Sequence, residues 1–322
     1  MKIIVLSGGS GKRLWPLSSD EQPKHLLQLL TYRNKKESML QRVIRQITTL
    51  VDKEDIIIAT TEQQFDTVVR QVPDVIVIKE PDGRDTFPAI ALACSYIISN
   101  FDVNEDEVVT VVSADTYTDL SFYEKIIVLS HLIKKKKISM GLVGVKPSMA
   151  TSKFGYMVPK TKDDLFTIEK FVEKPELNIA EELVNKGALW NSGVFVFPLK
   201  TVLNVLIDRR LPTNYSDFIE CFSNLPKRSF DYEVIEALKD IVAIQYDGEW
   251  EDLGTWEVLL NKIDLKISGN VTMSTDCEEI SIINDLDIPI KLLGTSDLTI
   301  VATKNGILIS NKNETSRLKE IL

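Results

Sequence analysis

Cysteine and histidine are both scarce in this chain of 322 residues. The three cysteines, Cys94, Cys221 and Cys277, lie far apart and match neither a disulfide framework nor a thiolate metal site. The two histidines, His25 and His131, offer no Ser–His or Cys–His pair for nucleophilic catalysis. Basic charge is also in short supply: 38 Lys and Arg stand against 47 Asp and Glu, a formal net charge of −9. That balance argues against a general nucleic-acid binder, which presents a basic face, while leaving room for a local anion pocket. No apolar run approaches the ~18 residues of a membrane span. The first apolar run meets Gly8-Gly9 too early for a signal-peptide core. The expected setting is the cytoplasm, with neither nucleic acid nor membrane as partner.

What the chain does contain is the material of folded cores. Apolar residues make up 44% of it, which excludes disorder, and its length suggests roughly two domains. Residues 2–7, 55–60, 75–78 and 108–112 are near-continuous apolar runs, the signature of buried strands. Between them Met39, Leu40, Val43, Ile44 and Ile47 carry helical spacing behind Ser38, a suitable N-cap. A second helix is expected near Pro88, with Thr86 just before it. Strand–helix alternation of this kind predicts an α/β fold, a mostly parallel sheet flanked by helices. Ligands of such sheets sit beyond the carboxyl ends of the strands. After residue 265 the texture changes to short strand-like pieces at 280–283, 288–293, 298–302 and 306–309, then a terminal helix from about Asn313. The expected division is 1–265 for a catalytic domain and 266–322 for a small β domain.

The first strand runs into Ser7-Gly8-Gly9-Ser10-Gly11-Lys12-Arg13-Leu14-Trp15-Pro16-Leu17. Glycines after a strand let backbone N–H groups turn toward an anion, and Lys12 and Arg13 bring charge to the same loop. The loop is not a Walker A loop, because Leu6 stands where its first glycine is needed and Arg13 follows Lys12. Leu14 likewise replaces the third glycine of a dinucleotide fingerprint.

The same loop, followed by Pro23-Lys24, resembles the signature of sugar-1-phosphate nucleotidylyltransferases, and its Leu-Trp-Pro-Leu wording is similar to the mannose-1-phosphate guanylyltransferases among them. Further motifs follow in order. They are Glu80-Pro81-Asp82-Gly83-Arg84-Asp85-Thr86-Phe87-Pro88, Phe171-Val172-Glu173-Lys174-Pro175, Trp190-Asn191-Ser192-Gly193, Ser229-Phe230-Asp231-Tyr232 and Trp250-Glu251-Asp252-Leu253-Gly254-Thr255-Trp256. The resemblance implies a Rossmann-like sheet and a small C-terminal β-helical domain. At this length, the isomerase domain of bifunctional members is not expected.

It also implies a reaction. A sugar-1-phosphate oxygen attacks the α-phosphorus of GTP, giving GDP-mannose and pyrophosphate when the sugar is mannose; a heptose, fucose or glucose phosphate, or another nucleotide, is the alternative. Two polyanions must be held together and their charge neutralised, so positioning and electrostatics carry the catalysis. The family pattern assigns Arg13 to the triphosphate and Lys24 to the reacting phosphates. Asp115, beyond the run 108–112, and Asp252 are the expected ligands of a Mg²⁺ ion, a hard cation that takes few protein ligands. Thr116 and His25 depart from the usual family wording. Ser7, Gly8, Gly9, Ser10, Gly11 and Lys12 are expected around the nucleotide with Thr86. Glu80 and Asp85 are candidate acceptors for the N1–H and N2–H₂ donors of guanine. Gly155, Glu173, Lys174, Asn191 and Asp231 are expected at the sugar phosphate. A homodimer is the expected assembly.

Overall fold

The computed structural model describes residues 1–9, 14–161, 163–238, 240–263 and 266–322. By compactness the chain forms two units, each assembled from separate stretches. The first comprises Met1–Gly8, Ile44–Ala114 and Thr118–Trp250; the second comprises Gly9–Val43, Asp115–Tyr117 and Glu251–Leu322. The expected boundary at 265 falls on residues 264–265, outside those described.

The first unit is built on a nine-stranded sheet. Its strands are β1 (Lys2–Leu6), β2 (Ile56–Thr61), β3 (Ile76–Glu80), β4 (Val108–Ser113), β5 (Met140–Val145), β6 (Tyr156–Pro159), β7 (Leu165–Val172), β8 (Leu189–Pro198) and β9 (Ile241–Tyr246). The order across the sheet is 3-2-1-4-8-5-9-7-6. Strands 3-2-1-4 are parallel throughout, and all four coincide within two residues with the apolar runs of the sequence. The rest corrects the mostly parallel expectation. β8 runs antiparallel to both β4 and β5, and β7 antiparallel to β6 and β9, so the sheet is mixed. The reason is that β8 is buried along nearly its whole length. Burial on both faces erases the alternation that marks many antiparallel strands.

The helix expected near Pro88 runs Thr86–Asn100: Thr86, expected just before it, is its first residue, and Asp85 is the N-cap, its side chain accepting from Thr86 N. Residues 87–95 of this helix are all buried, and a helix enclosed over that length is apolar around most of its surface. It packs between the sheet and the helices Leu199–Asp208 and Tyr215–Cys221. Helix Met39–Ile47 also forms where expected. Ser38 Oγ accepts from Gln41 N at 3.1 Å while Gln41 Oε1 accepts from Ser38 N at 3.0 Å, a reciprocal cap.

The second unit has a core of its own. Leu14, Leu27, Leu30 and Met39 meet Leu253, Trp256, Leu259 and Leu260 there, together with Ile283, Val301, Leu308 and Leu318. Its C-terminal strands Ile267–Ser268, Ser281–Asn284 and Leu298–Thr303 pair in parallel, and Gly306–Asn311 closes the sheet antiparallel. Val271–Met273 and Ile290–Leu292 form a separate parallel pair. Alternation at period two sends Ile283 and Val301 into this core and Ile282 and Ile300 into a second small cluster. The terminal helix is of the 3-10 type, Lys312–Glu320. No helix among the described residues is long and apolar enough to cross a membrane.

Candidate active site

In the second unit, Lys24, Asp115 and Asp252 come together from three distant stretches of chain. Lys24 opens the short turn Lys24–Leu26 behind Pro23. Asp252 ends the strand Trp250–Asp252, which pairs with Thr116–Thr118 directly after Asp115. The Lys24 ammonium lies 2.7 Å from Asp115 Oδ2 and 2.7 Å from Asp252 Oδ1. Burial alone would pull the lysine down, but the two carboxylates outweigh it and hold Lys24 above the ordinary lysine value. The group therefore stays charged. Leu14, Leu27, Leu30 and Met39 line a small pocket together with Lys24 and Asp115.

The stretch leading to Lys24 is held from the far end of the chain. Pro16 O accepts from Thr303 Oγ1 at 3.1 Å and from Asn305 Nδ2 at 3.2 Å, and Trp15 O accepts from Trp256 Nε1 at 3.1 Å. Gly306 is in the left-handed region (φ +146°), and a Cβ there would lie 2.4 Å from the Trp15 ring. None of these supports carried a signal in the sequence. Ser10, Gly11, Lys12 and Arg13, expected at the nucleotide, lie outside the described residues.

The first unit gathers Gly155, Glu173, Lys174, Asn191 and Asp231. Asn191 N donates to Gly155 O at 2.7 Å, and Asn191 Nδ2 donates to Asp231 Oδ1 at 2.9 Å. Asn191 Oδ1 accepts from Gly193 N at 3.2 Å, which fixes the amide the right way round. A Cβ on Gly155 would lie 2.5 Å from Glu173 Oε2, so the room a glycine leaves here is taken by that carboxylate. Lys174 Nζ contacts Glu173 Oε1 at 2.8 Å, from a backbone held at φ +41° ahead of Pro175. Burial would lower Lys174, but Glu173 outweighs it and keeps the ammonium charged. Asp231 behaves in the opposite sense: burial, with the charge of Glu173 adding to it, pushes this carboxyl up to about 7.

The same unit holds the remaining nucleotide candidates. Ser7 N donates to Ala59 O at 2.8 Å and Ser7 O accepts from Thr60 Oγ1 at 2.9 Å, continuing the parallel ladder to the glycines. Gly8 faces Glu80, whose Oε1 would be 2.8 Å from a Cβ on Gly8. Glu80 is 4% exposed, and burial pushes its carboxyl up to about 7. Asp85 Oδ1 accepts from Thr86 N at 2.7 Å, and Thr86 Oγ1 accepts from Phe230 N at 2.8 Å. Arg84 is engaged by Asp82 at 2.9 Å and by Leu225 O at 2.8 Å. His131 is exposed on its helix and Glu233 is buried against Arg228 at 3.3 Å.

Sequence reasoning passed over one cluster. Phe154, Trp190 and Trp250 pack together with centroids 4.9 to 6.4 Å apart, and both indole N–H groups are buried without a partner among the described residues. The signal was available, since Trp190 and Trp250 each stand in a motif and Phe154 adjoins Gly155.

Asp115 and Asp252 both face the Lys24 ammonium, and their carboxylates are hard oxygen donors of the kind that a divalent ion takes. Among the described residues no group of three or more Asp, Glu, His or Cys converges in this way. Two carboxylates alone could hold only an ion that draws its other ligands from water or phosphate oxygens, as Mg²⁺ does.

The sequence profile described as nucleotidyl transferase matches residues 2–266. A mannose-1-phosphate guanylyltransferase of Escherichia coli is 31% identical over 99% of this chain and 74% of its own length. One from Salmonella typhimurium is 30% identical over 99% of this chain and 71% of its own. Among solved structures, that of a Thermus thermophilus protein named mannose-1-phosphate geranyltransferase superposes with a TM-score of 0.80, covering 99% of this chain and 97% of that one at 24% identity. It shows that the fold is shared.

Proposed function

The chain belongs to the nucleotidyl transferase family, and from that premise we propose that it transfers GMP from GTP to mannose 1-phosphate. A phosphate oxygen of the sugar phosphate forms the new bond to the α-phosphorus. The bond from the α-phosphorus to the β-bridging oxygen breaks, and its electron pair leaves with pyrophosphate. The observation that carries this reading is the convergence of Lys24 on Asp115 and Asp252. No nucleophile from the protein is needed.

Each side chain then has a definable task. Lys24, kept charged by its carboxylate neighbours, neutralises charge that builds on the α-phosphate, where a positioned cation is most effective. Asp115 and Asp252 would hold Mg²⁺, which supplies charge neutralisation at the phosphates when bound. Arg13 is proposed for the triphosphate, to which a guanidinium presents a bidentate fork. Lys174 meets the sugar phosphate, and Glu173 and Asn191 meet sugar hydroxyls. A carboxylate discriminates between hydroxyl positions because a missing partner leaves it buried and unpaired. Glu80 accepts from guanine N1–H and N2–H₂. Its burial beside Gly8 is what a base reader requires.

The parallel ladders of the C-terminal strands support reading them as coils of a short β-helix, acting in support or assembly of a cytoplasmic homodimer. The test of the reaction is pyrophosphate release across a matrix of nucleoside triphosphates and sugar 1-phosphates with Mg²⁺. Turnover greatest for GTP with mannose 1-phosphate supports the proposal. A clear preference for a heptose, fucose or glucose phosphate, or for another base, replaces it.

A further inference from the structure

Thr86 sits in a motif expected at the nucleotide, yet its hydroxyl oxygen is engaged elsewhere. Thr86 Oγ1 accepts from Phe230 N at 2.8 Å. Two neighbouring bonds run between the same stretches: Phe87 N donates to Arg228 O at 3.2 Å, and Arg84 Nη1 donates to Leu225 O at 2.8 Å. Residues 84–87 are thus stitched to residues 225–230 by three hydrogen bonds, none belonging to a helix or strand ladder. Phe230 is completely buried, so its amide has little recourse to water if Thr86 is lost, and an unmet buried donor is costly. The next residue is Asp231, whose carboxylate accepts from the Asn191 amide at 2.9 Å. On the other side, Asp85 adopts φ +70° and ψ −177°, a region that residues other than glycine occupy only where their surroundings enforce it. The enforcing contacts are the cap from Asp85 to Thr86 N and the bond from Phe230 to Thr86 Oγ1.

We propose that Thr86 is a positioning residue for the sugar-phosphate subsite: by accepting from Phe230 N it sets the turn that carries Asp231, and through Asp231 it holds the Asn191 amide, without itself binding the nucleotide. The assignment rests on the reading that Asn191 and Asp231 receive the sugar phosphate. It explains why a threonine is useful at the first position of a helix whose cap is already supplied by Asp85. It also divides the motif 80–87 by task, with Glu80 directed to the nucleotide and Thr86 to the organisation of the acceptor cluster.

The test compares Thr86→Val, Thr86→Ser and Thr86→Cys in the full-length protein. Valine keeps the shape and removes the acceptor, serine restores it, and cysteine retains a weak one. The KM for mannose 1-phosphate should rise about tenfold in the valine variant, a loss in the range of one buried hydrogen bond. It should rise less in the cysteine variant and stay near wild type in the serine variant, with the KM for GTP within about twofold throughout. If the valine variant does not fold, the cysteine-to-serine comparison decides. A rise in the KM for GTP that equals or exceeds that for the sugar phosphate places Thr86 at the nucleotide and overturns the proposal. The Asp231 titration, followed by carboxyl-carbon NMR without substrate, is the second arm. It should shift when the acceptor is removed and return with serine; an unmoved titration overturns the proposal. Should the wild-type protein use no sugar phosphate at all, the functional reading fails while this second arm still decides whether Thr86 sets Asp231.

Discussion

Lys24 is the residue on which charge, burial and position bear most directly. Its ammonium is drawn to two carboxylates at 2.7 Å each, and its elevated basicity keeps it protonated through any physiological range. Lys24→Ala should lower turnover by about 10²–10³, the usual loss for one transition-state electrostatic contact, with a much smaller effect on GTP affinity. Single-turnover rates alongside calorimetric titration with GTP separate the two. Glu173→Gln should impair use of the sugar phosphate and leave GTP affinity nearly intact, because the amide keeps the size but loses the charge that faces Lys174. Glu80 yields a prediction in pH. Its carboxyl is raised to about 7 by burial, and only the ionised form offers full acceptors to guanine. GTP should therefore bind more tightly as pH rises through about 7, and the dependence should flatten in Glu80→Gln. The same shift has a stability sign. A carboxyl that holds its proton more tightly folded than unfolded loses stability for the fold as pH climbs from its unfolded value toward about 7. Melting temperatures of wild type and Glu80→Gln at pH 5 and pH 8 should show the smaller drop in the variant.

At the scale of elements, the C-terminal strands do more than extend the chain. Thr303 and Asn305 donate to Pro16 O, and so brace the stretch that follows the glycine loop. Thr303→Val with Asn305→Ala should cost about 1 kcal/mol of stability or more and lower turnover, though neither residue touches a reacting group; thermal melts and initial rates measure both. The elements themselves were legible to different degrees. The four parallel strands and the helix behind Ser38 were readable because continuous apolar runs and a capping residue report local structure. β8 was not readable as antiparallel, since burial on both faces hides its direction. The trio of Lys24, Asp115 and Asp252 could be expected from motif resemblance alone, because no spacing in the sequence brings together three residues so far apart. The support of Pro16 by Thr303 and Asn305 was invisible, as it depends on a backbone carbonyl that any residue could supply. The bond from Phe230 N to Thr86 Oγ1 could not be read from the motif, because what a hydroxyl oxygen accepts from is fixed by tertiary packing.

At the scale of the molecule, the second unit has a core shared between chain ends. Ile283, Val301, Leu308 and Leu318 pack with Leu14, Leu27 and Trp256, so truncation at Leu265 should strip that core and expose large apolar side chains. Loss of solubility or a changed mass by light scattering is expected, together with loss of turnover. A soluble truncated protein of unchanged assembly and melting temperature would mean that the C-terminal strands are dispensable. The metal proposal is tested at this scale too, since its two carboxylates come from distant stretches. Asp115→Asn and Asp252→Asn should each nearly abolish turnover, and the double variant should lose far less than the product of the single losses, as residues acting as a unit are non-additive. Turnover against Mg²⁺ concentration for all four proteins provides the measurement.

The second unit's discontinuity, Gly9–Val43 with Asp115–Tyr117 and Glu251–Leu322, sets a timetable for synthesis on the ribosome. The glycine loop and Lys24 emerge among the first residues, yet Asp252, Trp256 and the strands that complete their core arrive only in the last quarter of the chain. At about 5–20 residues per second, the early segment waits roughly ten to fifty seconds for its partners. Leu14, Leu27 and Leu30 are uncovered for that interval, while the parallel strands of the first unit already have one another. A nascent chain stalled before residue 250 should therefore be protease-sensitive near residues 14–40 and protected in the early parallel strands, and that sensitivity should vanish only once the final strands have left the exit tunnel.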